Sequence, residues 1–73
     1  MRWVRVSDEM PTVNDRVLVA MNAGTEWQFV SVGRYCLNHW LVDGYTRNVG
    51  LSEIKYWAPI AQLPKEWREN DAH

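Results

Sequence analysis

The sequence predicts a mainly β fold, a small antiparallel β meander or partly open barrel with little helix. Two observations predict it. Each end of the chain carries a short apolar, β-favouring run with a tryptophan inside it and a proline after it: Trp3-Val4-Arg5-Val6 before Pro11, and Ile54-Lys55-Tyr56-Trp57-Ala58 before Pro59 and Pro64. Proline cannot donate to a ladder, so it ends a central strand or confines it to an edge. Between these ends, apolar runs of strand length alternate with Asn, Gly and Asp turn signals.

The elements follow in order. Residues 2–6 alternate and read as a first strand, and Ser7-Asp8-Glu9-Met10-Pro11 reads as a turn in which Ser and Asp can bond nearby backbone amides. Residues 12–16 form a polar connection. Val17-Leu18-Val19-Ala20-Met21 is continuously apolar and reads as a central strand covered on both faces. Asn22-Ala23-Gly24-Thr25 supplies the positive-φ residues of a hairpin loop.

Residues 26–36 read as the longest strand. One of its faces carries Trp27, Phe29, Ser31, Gly33 and Tyr35; the other carries Gln28, Val30, Val32, Arg34 and Cys36. Both faces are partly apolar, so alternation does not say which one looks inward. Gly33 within the run predicts a bulge or a close approach by a ring or backbone. Residues 38–42 return as a further strand, Asp43-Gly44 is a turn, and residues 45–52 form an irregular loop. Residues 53–58 are the last strand, 59–64 an extended segment, and 65–73 a short C-terminal tail. The shared framing of the end strands places them close together, with Trp3 packed on Trp57 in the core. Residues 1–64 thus form one small β domain.

Composition bounds the function. At 73 residues the chain is near the lower limit for an unstapled core, and its lone Cys36 has no partner for an internal disulfide. Five Trp, three Tyr and one Phe supply the burial; each can remove roughly 150–250 Å² from water. So many rings in so short a chain point to a homo-oligomer, with residues 27–45 as the interface. No apolar run reaches the ~18–20 residues of a membrane span, the first residues are charged at once, and an unpaired thiol suits a reducing compartment. The expectation is a cytoplasmic protein that binds no membrane. A net charge of −1 argues against stable nucleic-acid binding.

No catalytic constellation emerges. Cys36 and His39 are three apart in an extended segment, which sends their side chains to opposite faces, and no third group orients them. Asp8, Glu9 and Asp15 are explained by turns and surface charge. No residue set has metal-site spacing, no cofactor is expected, and the chain reads as no enzyme. One grouping invites a ligand. Trp27, Tyr35, Trp40 and Tyr45 are interleaved with Arg34 and Arg47. Rings stack bases and guanidinium forks take phosphates, so these six residues are the candidate binding set for a nucleotide. The plain alternative is an apolar subunit interface with solvated arginines.

Trp3-Val4-Arg5-Val6 with Met10-Pro11, Val17-Leu18-Val19, Gly33-Arg34-Tyr35, Trp40 and Tyr56-Trp57-Ala58-Pro59-Ile60 together resemble a family of small phage and prophage proteins known as domain of unknown function 551. The resemblance spans about residues 3–64. It departs at Tyr56, where the family usually has His, and at Ala58, where it usually has Met. The resemblance implies a phage-encoded accessory protein of small β fold with no established enzymatic activity. Joined to the aromatic–arginine grouping, it leads to an expected function: sequestering a nucleotide second messenger of host immunity in an oligomer pocket. The alternative is an inhibitor or adaptor docking on a host or phage protein through an aromatic surface. The placement of Arg34 and Arg47, convergent or scattered, separates the two.

Overall fold

The computed structural model describes residues 2–60. The tail expected over 65–73 lies outside the described residues. Five strands form one antiparallel sheet: β1 (Val4–Arg5), β2 (Arg16–Met21), β3 (Phe29–Tyr35), β4 (Trp40–Val42) and β5 (Tyr56–Pro59), in the order β1-β5-β2-β3-β4. The sheet is mainly what the sequence predicts, but it is open, not closed into a barrel. Nor is it a simple meander, because β5 inserts between β1 and β2 and brings the two Trp/Pro-framed runs side by side, with Val4 opposite Trp57. The short 3₁₀ turn Leu51–Glu53 is the one helical element among the described residues.

Side-chain alternation and register sort the sheet into two faces. Val17, Val19 and Met21 of β2 lie on one face with Val42, Trp40, Trp57 and Val4. All of these except Val4, which packs at the margin, are buried. Loops cover this face. Met10 packs onto it from the first loop, while Val49 and Ile54, both fully buried, descend from residues 43–55. Val49 is tied to β4 by a reciprocal pair: Trp40 N–H donates to the Val49 carbonyl at 2.8 Å, and Val49 N–H donates back at 2.9 Å. β2 is central, as expected, but among the described residues it is covered on one face only; Leu18 and Ala20 on the other are half exposed.

Gly33 meets the second of its sequence expectations, a close approach. A Cβ there would stand 3.2 Å from the Leu41 carbonyl oxygen and 3.3 Å from a Val19 methyl. β3 begins at Phe29, not at 26, because the preceding residues are spent on the hairpin loop. Asn22 and Gly24 take positive φ, Thr25 Oγ1 accepts from Trp27 N–H at 3.1 Å, and Gln28 Oε1 accepts from Gly24 N–H at 3.1 Å. The last strand is likewise displaced from the expected 53–58 to Tyr56–Pro59, since Glu53 belongs to the 3₁₀ turn.

Trp3 departs from its expected core position. It precedes Val4, which faces the core, so it alternates onto the far face and is 38% exposed, whereas Trp57 is 8% exposed. The two end tryptophans therefore stand on opposite sides of the sheet. Trp57 is held by its indole N–H, which donates to the Glu9 carbonyl at 2.9 Å.

Candidate functional site

The six residues grouped by the sequence do not form one constellation. Trp40 is fully buried in the core, and Tyr35 packs half-buried beside it with ring centroids 5.7 Å apart. A base has no access to a ring so placed. Trp27 stands 72% exposed at the tip of the β2–β3 hairpin loop. Tyr45 is half-buried against the core, and the Arg47 guanidinium carbon lies 5.7 Å from its ring centroid.

Arg47 is already engaged. Its Nη1 and Nη2 donate to Glu53 Oε2 and Oε1 at 3.0 and 2.8 Å, a bidentate pair, and Glu53 Oε2 also accepts from Gly50 N–H at 2.8 Å. The guanidinium fork, aided by that amide, holds the Glu53 carboxyl down at about 2, and the same pairing raises Arg47 above its ordinary value. Arg34 sits elsewhere, on the exposed face of β3. There it shares a shallow hollow of about 310 Å³ with Tyr45, Arg16, Leu41 and Asp43. Arg16 Nη2 and Asp43 Oδ2 are 3.3 Å apart in this hollow. The structure thus brings Arg34 to Tyr45 and Arg47 to Tyr45, and leaves Trp27, Tyr35 and Trp40 apart from any common pocket.

Cys36 and His39 do not engage one another. The Cys36 thiol lies 3.7 Å from Asn14 Oδ1 and 3.8 Å from the Arg34 carbonyl, while His39 Nδ1 is 2.6 Å from Asn38 Oδ1. No group of three His, Cys, Asp or Glu residues is placed to hold a metal among the described residues. No helix there is long and apolar enough to cross a membrane.

The feature that sequence reasoning missed is the uncovered face of the sheet. Its side chains fall into rows that cross the strands. Arg5, Tyr56, Ala20 and Val30 form the first row; Arg5 pairs with Tyr56, Ala20 pairs with Val30, and Tyr56 neighbours Ala20 one step beyond the Val19–Trp57 pair. Ala58, Leu18 and Val32 form the second, and Arg16, Arg34 and Leu41 the third. Trp3 flanks the β5 side. The strand residues of this face are aliphatic, aromatic or arginine, with no carboxylate among them. Val30 is 55% exposed, and Trp3, Leu41 and Tyr56 are each more than a third exposed.

Ala20 and Ala58 are the low points. Between the taller Tyr56 and Val30, with Trp3, Gln28 and Phe29 around the rim, the floor at Ala20 opens a cavity of about 480 Å³. One signal in the sequence marks this face. Arg16 and Arg34 have the same parity as Leu18 with Ala20 and Val30 with Val32, and a charged residue at the end of each run identifies the side that meets solvent.

Comparison with family models, with curated proteins and with solved structures returned no match.

Proposed function

We propose that this chain is a non-enzymatic docking protein of the phage-accessory type that its end motifs resemble, an inhibitor or adaptor that binds a host or phage protein through the open face of its sheet. The observation that carries this reading is the contiguous apolar surface of Trp3, Leu18, Val30, Val32, Leu41 and Tyr56, bordered by arginines and lacking a covering layer among the described residues. A sheet face of this kind ordinarily packs against a second layer. Where none is supplied, exposed apolar area rimmed by polar groups is the signature of an interaction site. Arg and Tyr on such a surface are typical anchors of protein interfaces.

Docking takes precedence over sequestration of a nucleotide. Arg34 belongs to the open face and Arg47 to the loop over the other face, where Glu53 occupies its fork. Both arginines approach Tyr45, but only Arg34 lines the shallow hollow beside it, and the occupied fork of Arg47 leaves no convergent pair for a phosphate, which supports a protein partner.

The test is affinity capture from bacterial cells producing the tagged protein, comparing wild type with Val30→Glu/Leu41→Glu. Both substitutions place a carboxylate on the open face and leave the core untouched. The expected result is a defined protein, quantified by mass spectrometry, that wild type retains and the double variant loses. Equal retention by both rejects the reading. So does release of an intact nucleotide on denaturing the wild-type protein, which restores sequestration.

A further inference from the structure

We infer that the cavity floored by Ala20 receives a large apolar side chain, aromatic or leucine, projecting from an acidic segment of the partner protein. This rests on the docking reading above and specifies its chemistry.

In the first cross-strand row an alanine stands between Tyr56 and Val30, so the row dips where its neighbours rise, and Trp3 walls the dip from the β5 side. The resulting space, about 480 Å³, is open to solvent and falls within the roughly 300–1,000 Å³ range of ligand pockets, ample for one large side chain. Its lining is mainly apolar and includes the Gln28 side chain. Gln28 Oε1 is held by Gly24 N–H, which directs the carboxamide and leaves its NH₂ able to donate to a partner carbonyl.

Charge fixes the character of the surroundings. Arg5 lies in the same row as the cavity, and Arg34 stands on the same face two rows away. Neither is joined to a carboxylate among the described residues, whereas Arg16 is met by Asp43. A partner laying an apolar anchor into the dip therefore brings its flanking residues over guanidinium groups. Asp or Glu there gains charge-assisted bonds; Lys or Arg is repelled.

A second copy of the chain is less well matched, since an isologous contact sets this arginine-bearing face against itself. Single-stranded nucleic acid is also less well matched. Between Tyr56 and Arg34 the face presents Leu18, Val30, Val32 and Ala20, which offer no ring for successive bases to stack upon.

The experiment uses synthetic acidic peptides of identical sequence except for a central Trp, Leu or Ser. Affinity for the full chain is measured by calorimetry, and amide shifts by NMR. The expected outcome is binding of the Trp and Leu peptides at least about tenfold tighter than the Ser peptide, a difference of roughly 1.4 kcal/mol. Shifts should centre on Ala20, Val30 and Tyr56. Ala20→Leu, which fills the cavity on an exposed face, should erase the difference while leaving the circular-dichroism spectrum and unfolding midpoint near wild type. Equal affinity of the three peptides, or an unaltered preference in Ala20→Leu, overturns the anchor. Equal binding of a version with Lys in place of every acid overturns the acidic flank. Tighter binding of oligo-dT than of any peptide, or a dimer in sedimentation that Val30→Glu dissociates, assigns the face to a different occupant and overturns the inference. If the peptides fail while cellular capture still depends on Val30 and Leu41, the anchor falls and docking stands; if capture is indifferent to those residues, docking itself falls.

Discussion

Trp40 and Trp57 are both core indoles, and their N–H groups fare differently. Trp57 Nε1 donates to the Glu9 carbonyl, whereas Trp40 Nε1 is buried with no partner among the described residues. An unpaired buried donor costs about 1–3 kcal/mol and a typical satisfied bond contributes about 0.5–1.5. Phenylalanine removes the donor at either site and forfeits part of the ring. At Trp40 the loss of an unsatisfied group offsets the lost packing; at Trp57 the loss of a satisfied hydrogen bond adds to it. Urea unfolding is therefore expected to show Trp57→Phe less stable than Trp40→Phe by about 1 kcal/mol or more, and the reverse order would refute this account. Trp40→Ala, by contrast, vacates a fully buried ring and should cost about 3–5 kcal/mol, enough to unfold a chain this small. The sequence placed Trp57 in the core, as found, but also put Trp3 there and assigned Trp40, which is fully buried, to a ligand set. Trp3 shows why: it and Val4 alternate, so the register that turns Val4 to the core turns Trp3 away, a single-residue choice that composition does not carry.

At the scale of elements, strands were legible where a single alternating face met a turn residue, and loops were legible only as gaps. Residues 45–52 read as irregular, yet this segment supplies Val49 and, with Ile54 beyond it, much of the cover over the core. It closes through the Arg47–Glu53 pair, whose six-residue spacing matches neither a strand nor a helix period, so no pattern reveals it. The pair gives the loop an acid limit. Glu53 is held at about 2 against an ordinary 4.5, first by the Arg47 hydrogen bond and then by Gly50 N–H. A carboxylate with its folded value depressed contributes stability that is complete above its unfolded value and is lost as pH falls through the folded one. The contribution should therefore persist above about pH 4.5 and disappear towards pH 2. Because the pair is exposed, its effect should be modest and reduced by salt. Glu53→Gln is expected to be less stable than wild type at neutral pH and to converge on it near pH 2, seen as urea midpoints across a pH series. A constant gap at all pH values would mean that Glu53 acts through packing instead.

For the whole molecule, the decisive property is that loops cover one face of the sheet while the other has no covering layer among the described residues. Apolar alternation could not show this in advance, because Phe29 and Tyr35 on one side of β3 balance Val30 and Val32 on the other; the parity of Arg16 and Arg34 is the one hint at which side meets solvent. Tertiary cover separates them in the fold, and that cover comes from segments without regular patterning. The asymmetry makes a quantitative demand on the unfolding free energy. If the open face is kept apolar for a partner, polar substitution there should leave the isolated chain nearly as stable, within about 0.5 kcal/mol, as for other surface positions. Val30→Thr and Leu41→Thr are the direct probes. The same chemistry at Val19, fully buried and opposite Ser31 and Trp57, buries a hydroxyl and should cost about 1–3 kcal/mol. Denaturant titration of the three variants separates the cases. A loss at Val30 or Leu41 as large as that at Val19 would show that the face is already packed in the isolated chain, and would remove the surface on which docking depends.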